Sequence, residues 1–375
     1  MKKVLILANN SIGLYNFRIE LIKELIKQQY EVYFSLPEQV DDEKVQLIIK
    51  AGAKHIQTHI NRRGINPFED WKLIKEYKKI ITEVNPDLLL TYTIKPNIYG
   101  TYAANTINVP VIMNITGIGT SLTNSKLKKI VINLYKYACK KAKYVFFQNK
   151  SNYTLFISKK IVSHDKTVIL PGSGVNTNKF IPVTKTKEDE KIRFLFIGRL
   201  MKEKGIEEFL DAANALLNRY ENIEFQILGP FEEEKYKEIM LKNKNKQIRY
   251  LGTSNDVRTE IREVDCIVNP SYHEGMSNVL LEAAAMGKPL IASDIPGCKE
   301  IVEDGLNGYL FEVKLTSSLE ERLIKFIELE IEEKEIMGKR SRSKVEAEFD
   351  RSIVIDEYMK IINNIVKKGD KNELI

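Results

Sequence analysis

KVLILANNSIGLYNFRIELIKELIKQQYEVYFSL, residues 3–36, is the stretch whose reading decides the fold. Residues 3–8 form a short apolar strand and 9–13 a polar loop. Leu14, Phe17, Leu21, Ile22, Leu25 and Ile26 then recur at helical spacing. Residues 31–36 read as a second strand. Strand, helix and strand in this order open a doubly wound α/β sheet. The loop contains Gly13 but no G-x-G-x-x-G, so the dinucleotide fingerprint is absent. Gly13 either lets a ligand approach the backbone or only makes a turn.

The alternation continues outward from that unit. Helices are predicted over 45–51, 70–84, 97–105 and 125–143, and strands over 88–92, 111–115, 144–148 and 167–170. Two loops interrupt them, NRRGINP at 61–67 and TGIG at 116–119; the second holds Gly117 at a strand's carboxyl end, where ligands of such sheets sit. TKTKEDEK, 184–191, is charged and lacks apolar residues, which places a domain boundary there. The pattern then restarts, with strands expected at 193–197, 224–228, 248–251, 266–269 and 289–292, helices at 207–217 and 319–336, and a closing amphipathic helix from 353. These readings give domains of 1–183 and 184–352, with 353–375 packing back on the first, and two Rossmann-like halves facing a central cleft.

The chain has 375 residues, enough for two ordinary domains, and 43% hydrophobic content can build a core in each. No apolar run approaches about 18 residues, so no spanning helix is expected. The apolar start is short and runs into a polar loop, which reads as a buried strand and not a signal peptide. Cys139, Cys266 and Cys298 are scattered, as suits a reducing cytoplasm. His55 and His59 have ligand spacing but bracket a strand, and no metal site is expected there.

Net charge is +7, unevenly spread. Residues 1–180 carry 27 Lys+Arg against 13 Asp+Glu, a net +14; residues 181–375 carry 31 against 38, a net −7. The basic half favours anionic surfaces, or the charge is simply scattered over solvated faces. SKLKKIVINLYKYACKKAK, 125–143, holds seven lysines and no acid, with Leu127, Ile130, Val131, Leu134, Tyr135 and Ala138 at helical spacing. Such a helix can lie on an anionic membrane or be an ordinary solvated face over the sheet.

SYHEGMSNVLLEAAAMGKP, 271–289, is the stretch richest in chemistry. Ser277 is an N-cap candidate ahead of an alanine-rich helix ended by Gly287 and Pro289. The helix start is an anion site, because free amides and the positive dipole end face the preceding loop. Glu282 is the only charge in the apolar run, so it either serves a ligand or finds a core partner. Glu274 lies in the loop before it. GRLMKEKG, 198–205, follows a strand, so Arg199 and Lys204 can point two cations at a diphosphate, or be a solvated basic turn.

These elements resemble the retaining glycosyltransferases of family 4, which have the GT-B fold. In the second half the resemblance rests on FIGRLMKEKGIEEFLDAA and NPSYHEGMSNVLLEAAAMGKPLIASDIPGCKEIVEDGLNGYLF. In the first, YTIKPNIYG, NITGIGTSL and PGSGVNTNKF resemble the branch that builds bacterial surface polysaccharides, capsule included, on undecaprenyl diphosphate; some of its members move N-acetylgalactosamine from its UDP form. The resemblance implies that Arg199, Lys204 and the amides of Gly275, Met276, Ser277 and Asn278 bind the diphosphate of a UDP-sugar. It implies that Glu274 holds donor-sugar hydroxyls and Glu282 the ribose, with Gly13 and Gly117 lining the facing wall. Many relatives carry a histidine after the strand that precedes Gly117; here that region reads MNITG, with Asn114 and no histidine. No DxD motif occurs and no metal is expected. The expected acceptor is a saccharide on undecaprenyl diphosphate, reached by peripheral association with the inner face of the cell membrane, with no nucleic-acid partner. A UDP-sugar epimerase of the same fold is the first alternative. Nucleic-acid binding through the basic half is the second, and it leaves Glu274 and Glu282 without a role.

Overall fold

The computed structural model describes residues 1–61, 66–117, 125–186, 190–243 and 245–372, without the side chains of 125–128 and 367–372. The chain divides into two compact units, residues 1–173 with 352–375, and residues 174–351.

The first unit is built on seven parallel strands: β1 (Lys3–Leu7), β2 (Glu31–Leu36), β3 (Lys54–Gln57), β4 (Leu88–Tyr92), β5 (Val111–Ile115), β6 (Tyr144–Phe147) and β7 (Thr167–Ile169). Their order is β3-β2-β1-β4-β5-β6-β7, so direction of winding reverses between β1 and β4. Strands covered on both faces read as unbroken apolar runs, and LLLTY of β4 and VIMNI of β5 are buried throughout. The strand period sends Val4 and Ile6 into one core layer and Leu5 and Leu7 into the other. The helix Ser11–Lys27 covers the first layer with Leu14, Leu21, Ile22 and Leu25.

The second unit repeats the plan with β8 (Ile192–Ile197), β9 (Ile223–Leu228), β10 (Ile248–Tyr250), β11 (Cys266–Asn269), β12 (Leu290–Ser293) and β13 (Gly308–Phe311). They lie parallel in the order β10-β9-β8-β11-β12-β13. Phe194 and Phe196 enter one apolar layer, Leu195 the other.

Several boundaries differ from the sequence reading. The division expected at 183/184 falls at 173/174. The cause is the segment after Gly174: Val175 exchanges backbone hydrogen bonds with Phe349 and Arg351, Phe180 is buried in the second unit's core, and Arg342 donates to the Thr177 and Phe180 carbonyls. The helical region expected over 319–336 is two helices, Thr316–Ile327 and Ile331–Glu348, because Glu330 and Glu333 form a capping box that starts the second. The 97–105 helix begins as a π-turn at Pro96–Gly100 and continues as Thr101–Asn105. Most of the 61–67 loop and the end of TGIG lie outside the described residues. Among the described residues no helix is long and apolar enough to cross a membrane.

The helix Arg351–Asn372 carries the chain back to the first unit, where Val354, Tyr358, Ile362 and Ile365 join the layer that holds Val4 and Phe34. Truncation of such a residue removes transfer energy and leaves a cavity. Ile362→Ala should cost the first unit about 2–5 kcal/mol. The single tryptophan, Trp71, lies in this unit, so urea unfolding followed by its emission should show the lowered midpoint.

Candidate active site

The second unit gathers the expected site residues at the carboxyl ends of β8 and β11. Gly198 to Gly205 follows β8, and a 3₁₀ turn, Lys202–Lys204, ends it. Gly205 then turns the chain left-handed, φ +70°. A Cβ there would stand 2.0 Å from the Pro270 carbonyl oxygen, so only glycine lets this loop touch the one after β11. The Tyr272 amide donates to the Glu203 carbonyl at 2.9 Å, which joins the two loops, and the Tyr272 hydroxyl to Glu208 of the helix Ile206–Leu217 at 2.6 Å.

That contact brings Lys204 and Glu274 together. Lys204 Nζ donates to Glu274 Oε1 at 2.6 Å, and both side chains are mostly shielded from water. The second expected cation, Arg199, is half exposed and 3.3 Å from Glu232. Glu232 was not anticipated; it sits in the turn after β9, fixed by the bonds of its amide and that of Glu233 to the Leu200 carbonyl.

The helix Asn278–Ala285 starts where the sequence places it. Ser277 is the N-cap and its hydroxyl accepts from the Leu280 amide. It also accepts from Asn269 Nδ2, which roots the cap on β11. One expectation is corrected here: the Ser277 amide is not free, because it donates to the Gly297 carbonyl at 2.9 Å. The amides of Met276, Asn278 and Val279 have no partner among the described residues and stand at the positive end of the helix.

One turn further on, the Glu282 side chain makes no hydrogen bond or ion pair among the described residues. Burial raises its pKa from 4.5 to about 7, against the pull of Arg351 and Lys179 and with the help of Asp256. The Glu282 side chain is half-buried and no core partner stands against it among the described residues, an arrangement that suits a ligand's hydroxyl groups.

Gly13 and Gly117 belong to the first unit. Gly13 is not in a loop. The helix begins at Ser11, capped by Asn10, whose side chain accepts the Gly13 amide, and a Cβ at Gly13 would crowd that oxygen at 2.8 Å. Its amide is thus unavailable to a ligand. Gly117 follows β5, and no atom of the described residues beyond its chain neighbours lies within 4 Å of where its side chain would stand. Asn114 is buried in β5; its Nδ2 donates to the Thr91 carbonyl at 3.0 Å, and its Oδ1 accepts from Tyr358.

Two parallel sheets, with a paired cation and carboxylate beside a capped, amide-bearing helix start, define a glycosyltransferase of the GT-B fold. Residues 3–149 match the "Glycosyl transferase 4-like" family model and residues 177–344 "Glycosyl transferases group 1". The chain belongs to this glycosyltransferase family. It is 27% identical to a Campylobacter jejuni N,N'-diacetylbacillosaminyl-diphospho-undecaprenol alpha-1,3-N-acetylgalactosaminyltransferase, over 96% of this chain and 98% of that one. It is 28% identical to an Escherichia coli UDP-Gal:alpha-D-GlcNAc-diphosphoundecaprenol alpha-1,3-galactosyltransferase, over 82% of this chain and 80% of that one. Its fold is that of Anabaena HepE, solved with UDP and glucose: TM-score 0.78 at 17% identity, covering 97% of this chain and 100% of that one.

A carboxyl with a folded pKa above its unfolded one keeps its proton longer when folded. Its contribution to stability is present below about pH 4.5 and lost as pH rises to about 7. In the absence of ligand, Glu282→Gln should therefore unfold at a higher temperature than the parent at pH 8, and the difference should vanish near pH 4. A melting curve shifted equally at both values would contradict the assignment.

Proposed function

We propose that this chain transfers a hexose or N-acetylhexosamine from a UDP-sugar to a saccharide carried on a lipid diphosphate such as undecaprenyl diphosphate, with retention at the anomeric carbon, in surface-glycan synthesis. The observation that carries the reading is the Lys204–Glu274 pair beside the partnerless amides of Met276, Asn278 and Val279. The two relatives, whose names specify diphosphoundecaprenol-linked saccharides, supply the acceptor class.

In this reading the anomeric carbon–oxygen bond breaks toward the diphosphate, and negative charge grows on the leaving UDP. Lys204 and the helix amides are already oriented to receive it, so little reorganisation is needed at the moment of reaction. An ammonium has three donors, and Lys204 can hold Glu274 and a phosphate oxygen at once. Glu274 keeps lone pairs for the donor sugar's hydroxyls. Arg199 turns from Glu232 to the phosphates, where its fork can engage two oxygens. Glu282 accepts from the ribose, which favours its charged form. No side chain is assigned as base; a phosphate oxygen of the leaving group takes the acceptor hydroxyl's proton.

The chain sits at the inner face of the membrane through its basic first unit. Lys136 and Lys140 are exposed on the helix Ser125–Lys141, while Tyr135, Ala138 and Cys139 hold it to the sheet. Ile130, expected on the packed face, is instead 57% exposed and adds an apolar contact for lipid.

Lys204→Ala should lower turnover about 10²–10³-fold with the fold intact. Glu274→Ala should abolish transfer to the lipid-linked acceptor in an assay of UDP release; an unchanged rate removes its role. Cations of the protein carry the diphosphate in this reading, so a chelator should leave the rate within twofold of the control, and a large loss would assign that charge to a metal. Donor incubated without acceptor should yield no 2-epimer; appearance of one would favour the epimerase.

A further inference from the structure

The apolar stripe of the helix Ser11–Lys27 is broken by a cation. Arg18 falls among Leu14, Leu21, Ile22 and Leu25 on the face turned to the sheet, and only 4% of it is exposed. Its guanidinium lies 4.7 Å above the ring of Tyr92, the last residue of β4. Nη1 donates to the carbonyl of the neighbouring Phe17 at 2.6 Å, and Nε is buried without a hydrogen-bond partner. No carboxylate pairs with it among the described residues. The groups around it are neutral: the hydroxyls of Tyr92 and Tyr358, 3.2 Å apart, and Asn114, which accepts from Tyr358.

A buried charge without a counter-charge is costly, and a ring face and two hydroxyls offset only part of that cost. The position is equally telling. β1 and β4 are the strands between which the sheet's winding reverses, and ligands of doubly wound sheets bind at the carboxyl ends of that pair. On the same strand end Thr93 holds a left-handed backbone, φ +73°, rare for a β-branched residue, and its hydroxyl is buried without a partner. A guanidinium whose Nε side is unused is a planar fork matched to a phosphate.

We propose that Arg18 seats a phosphate group of the lipid-diphosphate acceptor in the first unit, its anion supplied by substrate and not by the protein. The inference rests on the acceptor class proposed above, and its test separates the two. The full chain is held in saturating UDP, which occupies the second-unit site, and titrated with inorganic pyrophosphate and then with a short-chain isoprenyl diphosphate while thermal unfolding is followed. Wild type should be stabilised by both, and Arg18→Met should lose the stabilisation while melting, without ligand, no lower than wild type. In transfer assays Arg18→Met should raise KM for the lipid-linked acceptor at least about tenfold, with KM for the UDP-sugar within twofold, and Arg18→Lys should recover part of the loss. Should the methionine variant not fold, Arg18→Gln takes the same measurements. Absent stabilisation of wild type, equal stabilisation of wild type and variant, or a change in donor KM alone would each overturn the proposal; the last would give the phosphate to the donor. Failure of wild type to transfer to any lipid diphosphate would instead overturn the acceptor class, with the pyrophosphate titration still reading Arg18.

Discussion

At Gly205 a single methyl group would collide with the Pro270 carbonyl, and at Gly297 one would lie 2.8 Å from the Gly275 carbonyl and 3.0 Å from the Glu274 Cβ. Both glycines have positive φ, +70° and +89°. The loops after β8, β11 and β12 therefore close on each other through backbone, with no side chain as spacer. That approach sets the reach of Lys204 to Glu274, and the Gly297 carbonyl fixes the Ser277 amide behind it. A larger residue at either position would separate the charges before it unfolded the domain.

The same economy governs the electrostatics. Glu274 is paired with Lys204, whereas Glu282 has no ion-pair partner among the described residues, and burial raises its pKa to about 7 against the pull of Arg351 and Lys179. The two carboxylates, one in the loop and one in the helix that follows it, thus stand in opposite surroundings. One lies against a cation and keeps spare lone pairs; burial pushes the pKa of the other up to about 7. Arg18 shows the inverse case in the first unit, a fixed cation short of an anion.

Much of this was legible in the sequence. The strands were, because doubly covered strands such as LLLTY and VIMNI admit little else, and Ser277 was, because a serine ahead of an alanine-rich run has one obvious task. What failed depended on residues distant in the chain. GYLF of β13 is short and begins with Gly308, needed because a Cβ would strike the Leu290 carbonyl at 2.0 Å; nothing local announces that contact. The partners of Arg199 and Tyr272, Glu232 and Glu208, come from other loops and helices. Two misses had local signals. Asn10 was a visible cap for Gly13, and Arg18 stood in an apolar stripe where a charge is out of place. The charged run at 184–191 marked exposure, and exposure is not a boundary when the preceding segment is bound to the second unit's core.

The first unit draws its last helix from the far end of the chain, across the whole of the second. Synthesis runs from the N-terminus, so β1 to β7 emerge long before Tyr358 and Ile362 exist to cover them. The second unit is contiguous in sequence, so its folding need not wait for a segment from elsewhere in the chain. Until that helix docks, the layer of Val4 and Phe34 is covered only by helices nearer the N-terminus, Ser11–Lys27 among them.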